Sequence, residues 1–241
     1  VTNNANMLWG MYGFRSFHSI LPGSAFEYYS GMGFSRSVNT DPDGSYYAMR
    51  SVNSTKYLVI QSYKLEYSDT KTLLENLKNF EKIDEQDGFT IFKNKAYIPI
   101  GYSNSYYISD DEYEKIAKSN RDNMLARAVV LTDEQSEKYG DILTELEPDR
   151  YSDFNYYTFE KDAQELAKTA VDTFTPTANG FKATSSFTED RFVTFTVPWE
   201  SGWSATINGE KAEIEKVNRG VMGIKVPAGE CNIEFNYVTP G

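Results

Sequence analysis

The sequence contains very few of the residues that build common reactive centres. One cysteine and one histidine stand among the 241 residues, so no disulfide can form within the chain and the usual zinc-ligand sets are excluded. Long apolar segments are also missing: no apolar run exceeds four residues, the length of residues 128–131, against the roughly 20 that a membrane-spanning helix needs. A run as short as this one suits a buried strand.

Basic residues are also few in comparison with acidic ones. Lys and Arg number 24 and Asp and Glu 35, which gives a formal net charge of −11 and a pI of about 4.7. The chain lacks the basic field that nucleic-acid binding requires, so no nucleic-acid partner is expected. The same deficit excludes adhesion to anionic lipids through a polybasic face. Solubility is the simplest explanation of the acidity.

The pattern of elements predicts an α+β fold. Residues 1–160 are interpreted as an irregular N-terminal segment plus a mixed α/β domain, because strands and helices alternate there. Residues 161–241 are interpreted as a linking helix and an antiparallel β-sandwich of the jelly-roll or immunoglobulin-like type, because short strands alternate with turn signals. The chain begins with Val1 rather than Met, and we expect it to be part of a longer protein.

Local signals place several elements in the first part of the chain. A short helix is expected from Pro22 to Tyr29, with the proline near its first position. Two further helices are expected to begin with capping boxes at Ser109 and Thr132. Another helix is indicated by apolar residues at helical spacing, namely Leu73, Leu74, Leu77 and Phe80. Strands are expected at residues 56–60, 89–93 and 128–131, and the linking helix at residues 162–171.

The clearest turn signal in the sequence is Asn208–Gly209, a pair that favours a two-residue type I′ hairpin. That turn fixes the register of the two strands, and the register keeps apolar and polar residues on separate faces. The apolar pairs are Ala205 with Ala212 and Trp203 with Ile214, and the polar pairs are Thr206 with Lys211 and Ser204 with Glu213.

Alternation of residue types predicts further strands of the sandwich. Val193, Phe195 and Val197 alternate with threonines, which predicts a strand with one buried face. Cys231 lies on the same side of its strand as Ile233 and is interpreted as a core residue.

No set of residues forms a complete catalytic centre. His18 lies close to two serines, but neighbours in an extended segment point apart, so the pattern does not indicate a triad. The acidic residues 110–112 fit a helix N-terminus. Asp41 and Asp43 fit a turn, with a calcium site as the minority alternative. We therefore predict no catalytic residue, no cofactor and no metal site.

Aromatic residues are abundant, with 18 Tyr, 15 Phe and three Trp. Trp199 and Trp203 flank a short loop after a strand, where an exposed ring can stack on a sugar. The alternative is that both tryptophans cap the core of the sandwich. Because the hairpin register places Trp203 on the apolar face, Trp199 is the better candidate for binding a sugar.

Several stretches near the two ends carry a pattern that is specific in combination. They are residues 7–19 (MLWGMYGFRSFHS), 22–24 (PGS), 197–203 (VPWESGW), 207–209 (ING), 217–224 (VNRGVMGI), 227–229 (PAG) and 235–241 (FNYVTPG). Together they resemble the C-terminal extracytoplasmic region of the bacterial YfhO family of membrane proteins. The resemblance runs over most of the chain, and residues 64–170 match mainly in layout.

The resemblance implies a multi-pass membrane protein similar to polyprenyl-phosphate-sugar-dependent glycosyltransferases of the GT-C type, which attach sugars to cell-envelope polymers such as teichoic acids. It places this region on the extracytoplasmic face of a bacterial cell membrane, beside the membrane-embedded part of the same chain. It implies a membrane helix after Gly241 and a catalytic carboxylate outside residues 1–241, so this fragment is expected to be inactive alone. A lipid-linked sugar or a cell-envelope glycopolymer is the partner that it implies.

The segment from Arg15 to Ser24 is where contact with the membrane-embedded part or its substrate is expected. Arg15 can pair with a phosphate, His18 can hydrogen-bond a sugar or a phosphate, and Ser19 and Ser24 can assist. The simpler alternative is that these side chains hold an irregular loop together through backbone hydrogen bonds. These four residues and Trp199 are the predicted substrate-binding residues.

Two functions of other classes remain open. One is a stand-alone carbohydrate-binding module that uses the loop at Trp199. The other is a purely structural or protein-interaction domain. The two differ in a simple test, because only the first predicts glycan binding that is lost in Trp199→Ala.

Overall fold

The structure is a computed structural model that describes residues 22–34, 47–67 and 77–240. Several predictions fall elsewhere in the chain and lie outside the described residues. They concern Arg15, His18, Ser19, Asp41, Asp43, Leu73 and Leu74.

The helices are short, and side chains cap the starts that the sequence predicts. Ser109 accepts a hydrogen bond from the backbone amide of Glu112, and Thr132 forms a complete capping box with Gln135. Both predicted helix starts are confirmed. The helices are α1 (Gly23–Gly31), α2 (Met49–Val52), α3 (Ser62–Tyr67), α4 (Asp110–Lys115), α5 (Arg121–Met124), α6 (Asp133–Tyr139) and α7 (Tyr156–Ala167), with 3₁₀ turns at Lys118–Asn120 and Pro148–Tyr151.

The strands within the described ranges form four sheets. The strands of the first half are β1 (Tyr57–Gln61), β2 (Phe80–Gln86), β3 (Phe89–Asn94), β4 (Tyr102–Ser103), β5 (Tyr106–Ser109), β6 (Val129–Leu131) and β7 (Thr144–Glu145). Those of the second half are β8 (Thr173–Thr177), β9 (Gly180–Phe187), β10 (Arg191–Pro198), β11 (Trp203–Ile207), β12 (Glu210–Ala212), β13 (Glu215–Val217), β14 (Val221–Val226) and β15 (Gly229–Tyr237). The sheet orders are β1-β3-β2, β6-β5-β7, β13-β14-β10-β4 and β12-β11-β15-β9-β8.

The first half combines two small sheets of different kinds. Strands β1, β3 and β2 pair antiparallel, and Asp87 and Gly88 turn the chain between β2 and β3 with φ angles of 51° and 78°. Strand β5 pairs parallel with β6 and with β7. Because parallel neighbours need crossover connections, helices lie between these strands in the chain. Helices combined with these sheets and an all-antiparallel second half confirm the α+β prediction.

The second half is a sandwich of two antiparallel sheets around a common core. Alternate side chains of β9, β11 and β15 meet those of β10 and β14 between the sheets. Cys231 is buried among them as a free thiol, which confirms its prediction as a core residue. Four phenylalanine rings stack or meet at an angle in this core, namely Phe174, Phe181, Phe195 and Phe235.

The predicted hairpin is present in the predicted register. Asn208 and Gly209 have φ angles of 52° and 89°, as a type I′ turn requires. Ala205 pairs with Ala212 and Thr206 with Lys211. The ladder stops there, because β12 ends at Ala212, so the pairs predicted for Trp203 and Ser204 do not form.

Strand β10 differs from its prediction, because it is buried on both faces. Val193 and Phe195 enter the sandwich core as predicted, but Phe192 and Thr194 on the opposite face are also buried. The ring of Phe192 packs against Tyr139 of α6 with 4.7 Å between ring centres. The first half of the chain therefore covers this face of the sandwich, which a local alternation pattern does not reveal.

Two other expectations need correction within the described residues. Phe80 is the first residue of strand β2 and Leu77 lies in a turn, so the helix predicted to include them does not reach this far. The linking helix is α7, which begins at Tyr156 and ends at Ala167. It begins six residues and ends four residues earlier than the predicted span of 162–171, because Asn155 caps its first turn.

The two halves share structure across residue 160, the predicted domain boundary. Strand β4, which belongs to the first half, pairs with Val193 and Thr194 of β10. One apolar cluster also joins α1, the β6-β5-β7 sheet and the outer face of β10. The division at residue 160 stays a prediction.

Candidate functional site

Of the five predicted substrate-binding residues, Ser24 and Trp199 lie within the described residues. Ser24 is buried in the first turn of α1. Trp199 follows β10 and is partly buried against the sandwich core. Their roles stay predictions, but the structure places both of them against one loop of the sandwich, residues 218–220. We call this loop, with Ser24 and Trp199 beside it, the Gly220 junction.

The loop of the Gly220 junction has an unusual backbone. Asn218 and Arg219 are in the left-handed region with φ angles of 49° and 64°, a conformation that non-glycine residues adopt rarely and that asparagine tolerates best. The amide of Gly220 closes the turn on the carbonyl of Val217 at 2.9 Å. Consecutive left-handed residues turn the chain sharply between β13 and β14, so the loop protrudes towards the first half.

At Gly220 the backbones of the two halves approach each other very closely. A Cβ at this position would lie 2.0 Å from the carbonyl oxygen of Ser24, a distance that no real Cβ contact shows. On the other side, the backbone amide of Trp199 donates to the carbonyl of Gly220 at 2.9 Å. Ser24 and Trp199 are thus held on either side of one glycine, although 175 positions separate them in sequence.

Arg219 is the charged anchor of the junction. Its guanidinium forms a two-point pair with Asp110 at 2.6 and 2.8 Å and also donates to Glu114 at 2.7 Å. The hydrogen bonds that Arg219 donates to Asp110 and then to Glu114 raise its pKa above the usual range, against the opposing effect of burial. A forked pair of this kind fixes orientation as well as distance, so Arg219 holds the loop on the N-terminal end of α4.

Asn218 continues the attachment into the parallel sheet. Its side-chain oxygen accepts a hydrogen bond from the backbone amide of Val130 at 2.7 Å. Its backbone amide donates to the carbonyl of Val130 at 3.1 Å. The loop therefore bonds to the backbone of β6 in the way that a neighbouring strand would.

Glu215 of β13 adds a charged contact to helix α6. Its carboxylate accepts hydrogen bonds from Gln135 at 3.0 Å, from Lys138 at 2.7 Å and from Tyr139 at 2.7 Å. Burial alone raises the pKa of Glu215, but the hydrogen bonds from Lys138, Gln135 and Tyr139 outweigh it and leave the pKa below its ordinary value. The ionised form of Glu215 is the form that this contact needs.

The surroundings of Trp199 leave it less open than the sequence predicts. The ring packs on the sandwich core, and the Lys216 ammonium lies 5.9 Å from the ring centre. Lys216 also pairs with Glu27 of α1. Contact with the core and a nearby cation reduce the ring area that a sugar could use.

The side chains of the Gly220 junction are arranged to hold segments of the chain in place rather than to react. The Ser24 hydroxyl is buried and has no hydrogen-bond partner among the described residues, so no base in that part of the chain activates it as a nucleophile. Within residues 22–34, 47–67 and 77–240, no group of three His, Cys, Asp or Glu side chains lies close enough to hold a metal ion. The charged groups of the junction are engaged with one another, which fits a role in holding segments in place.

Arg219 and Arg127 are both central to the structure, although neither is among the predicted functional residues. Arg219 lies inside one of the stretches that carry the family resemblance. Arg127 interrupts the apolar residues 124–131, and a lone arginine in such a run signals a partnered buried charge. Its partner is Asp162 at 2.6 Å.

Comparison with known proteins decides the family. A family model described as "Bacterial membrane protein YfhO" matches residues 1–153 and 150–241. The chain belongs to the YfhO family. An uncharacterised protein YfhO of Bacillus subtilis (strain 168) is 26% identical over 144 residues, which is 57% of this chain and 16% of the relative. This YfhO chain thus spans only a small part of that relative's length. No solved structure matches it.

YfhO is a family of bacterial membrane proteins. Every helix in the described part of this YfhO chain is too short or too polar to cross a bilayer. Three of the stretches that carry the family resemblance, residues 22–24, 197–203 and 217–224, meet at the Gly220 junction. Three segments that resemble the family in sequence are therefore in contact with one another in the folded chain.

Proposed function

We propose that this chain is an extracytoplasmic region of a multi-pass bacterial membrane protein, and that it assists a sugar-transfer site held in the membrane-embedded part. The observation that carries the proposal is the match of both halves of the chain to a family of bacterial membrane proteins. The small share of the relative that the chain covers is consistent with a longer protein around it. The glycosyltransferase chemistry rests on the resemblance to enzymes that use polyprenyl-phosphate sugars.

The Gly220 junction supports an accessory role rather than a catalytic one. Its hydroxyl at Ser24 has no base, and its arginine is paired with two carboxylates. It also fixes the start of α1, where the segment from Arg15 to Ser24 that is expected to contact the membrane-embedded part ends. We propose that the junction holds the exit point of that segment in position against the sandwich.

The side of the membrane is tested by labelling cells that carry the full-length protein. Glu210 lies exposed in the hairpin turn, and the native thiol of Cys231 is buried. In the Glu210→Cys variant, a membrane-impermeant maleimide is expected to label intact cells as fully as lysed ones. The unsubstituted protein is the control, and the readout is the labelling of the variant above the level of that control. Labelling of Glu210→Cys only after lysis would contradict the extracytoplasmic placement.

A stand-alone binding module without any part in catalysis is the second candidate. Its original basis, an exposed Trp199, is weakened by the contacts of that ring with the sandwich core and Lys216. A different observation favours glycan binding, however: a polar cleft lined by residues of helix α7 and of the segment that leads into β5.

A further inference from the structure

A cleft of about 640 Å³ opens between the parallel sheet and helix α7. It is lined by the segment before β5, the end of the α5–β6 connection, the 3₁₀ turn at Pro148–Tyr151 and one face of α7. We call it the Asn104 cleft after the amide in its lining. Its volume lies within the range of small-molecule sites in proteins. None of the five predicted substrate-binding residues belongs to it.

The lining of the Asn104 cleft contains an unused hydrogen-bond acceptor. Asn104 is only 3% exposed, and its side-chain amide donates weakly to the Leu125 carbonyl at 3.5 Å. The side-chain oxygen is buried and has no hydrogen-bond partner among the described residues. A buried polar atom without a partner is unfavourable, so a ligand hydroxyl that reaches this oxygen and donates to it would be favoured.

One wall of the cleft is held rigid by Arg127. Its guanidinium donates to Asp162 at 2.6 Å and to the carbonyls of Arg150 and Ser152 at 2.9 and 2.8 Å. It also lies 4.8 Å from the ring centre of Phe154. These bonds tie the loop of residues 150–154 to α7, so the shape of the cleft exists before any ligand binds.

The rim of the cleft carries two charged groups that are open to a ligand. Asp149 and Lys161 are exposed, and neither forms an ion pair with another described residue. They come from different elements, the 3₁₀ turn and α7. An acceptor and a donor that face one cleft from different elements can bind two hydroxyls of one ring.

The balance of charge argues for an uncharged ligand. Three cationic side chains line the cleft, against four carboxylates. The cleft therefore offers no positive excess, and it lies in a chain of net charge −11 that repels anions. The cationic side chains are Arg127, Arg150 and Lys161, and the carboxylates are those of Asp149, Asp153, Asp162 and Glu165.

We propose that the Asn104 cleft binds an uncharged sugar ring. Hydroxyl, amide, carboxylate and ammonium groups line it, and a sugar ring offers hydroxyls that can donate to the carboxylates and to Asn104 and accept from Lys161. The choice of a sugar among polar ligands rests on the proposed function. The existence of a site rests on the cleft alone.

Amide chemical shifts of the 15N-labelled 241-residue chain test this directly. N-acetylglucosamine and methyl glucoside are added up to concentrations on the order of tens of millimolar, since weak single-ring binding is expected. The expected result is saturable shifts confined to residues 103–106, 149–153 and 158–169. Asp149→Ala with Lys161→Ala should weaken the binding at least about tenfold.

A matched control removes one acid and one base elsewhere. Glu210→Ala with Lys211→Ala changes two exposed residues of the hairpin and keeps the net charge, so sugar affinity should stay as in the unsubstituted chain. The proposal is overturned if no sugar gives saturable shifts in the cleft or if the two double variants bind equally. Saturation by inorganic phosphate in place of the sugars overturns it as well. None of these results bears on the extracytoplasmic placement, which the maleimide labelling tests separately.

Discussion

The Gly220 junction and the Asn104 cleft are both rich in polar groups, but they use them in opposite ways. At the junction, Arg219 is paired with two carboxylates and Asn218 bonds to the backbone of β6. In the cleft, the side-chain oxygen of Asn104 lacks a partner, and Asp149 and Lys161 form no ion pair within the described residues. Polar groups whose bonds are used internally hold the structure together, whereas open ones remain available to a ligand.

Replacing Gly220 with alanine should give the largest effect. The new Cβ would meet the Ser24 carbonyl at 2.0 Å, so the backbone of the junction must shift. We expect unfolding free energy to fall by about 2–4 kcal/mol, measured by chemical denaturation. Gly23→Ala is the matched control, because nothing lies within 4 Å of its Cβ position; it should change stability by less than about 0.5 kcal/mol. Equal effects would mean that the junction is not tightly packed.

Asp122 provides a buried carboxyl whose hydrogen bonds are used internally. It accepts from the amides of Ala48 and Met49 at 3.1 Å each, yet burial raises its pKa to about 6. Because the folded pKa lies above the unfolded one, its contribution to stability is complete below about pH 4 and is lost as pH rises through 6.

The Asp122→Asn variant isolates this effect. Between pH 4 and 7, its stability relative to the unsubstituted chain should rise by about 2–3 kcal/mol, since each pKa unit corresponds to about 1.4 kcal/mol. Denaturant titrations at several pH values measure the difference. A difference that is constant over this range would show that Asp122 titrates normally.

Removing the Arg219 side chain tests the charged anchor of the junction. Arg219→Ala should lower stability by about 1–2 kcal/mol, because it leaves Asp110 and Glu114 without their shared partner. Lys225→Ala is the control. It removes another ion pair between the two halves of the chain, to Asp141 at 3.0 Å, but both of those side chains are well exposed. That change should cost less than about 0.5 kcal/mol. Equal losses of stability would show that the paired guanidinium of Arg219 does not anchor the junction.

The smallest expected effect on stability is in the cleft. Asp149→Ala with Lys161→Ala should alter the unfolding free energy by no more than about 0.5 kcal/mol, because neither side chain forms an ion pair with another described residue. Thermal unfolding beside the Glu210→Ala, Lys211→Ala control measures this. A clear loss of stability would mean that these charges hold the fold, and the contrast between the two regions would disappear.

Local chemistry made part of this fold predictable. The Asn208–Gly209 pair predicted its own turn and register, since φ angles and pairing follow from two residues and their neighbours. The helix starts at Ser109 and Thr132 were equally local. By the same reasoning, Asp87–Gly88 would have predicted the β2–β3 hairpin and corrected the assignment of Phe80 to a helix.

Contacts between distant segments set the limit of sequence reasoning. The second buried face of β10 depends on Tyr139 of α6, more than fifty positions away. Ser24 and Trp199 were predicted separately, and only the fold brings them to opposite sides of Gly220. The Asn104 cleft is assembled from segments that carry no shared motif, so no pattern in the sequence pointed to it.

Sugar transfer by the chain alone, measured beside membranes that contain the full-length protein, is the most direct test of the central claim. Both samples receive the same radiolabelled polyprenyl-phosphate N-acetylglucosamine or glucose, with cell-envelope polymer as acceptor. We predict incorporation of label with the membranes and none with the purified 241-residue chain. Transfer by the purified chain, or no transfer by the membranes with either donor, would contradict an accessory role beside a membrane-embedded sugar-transfer site.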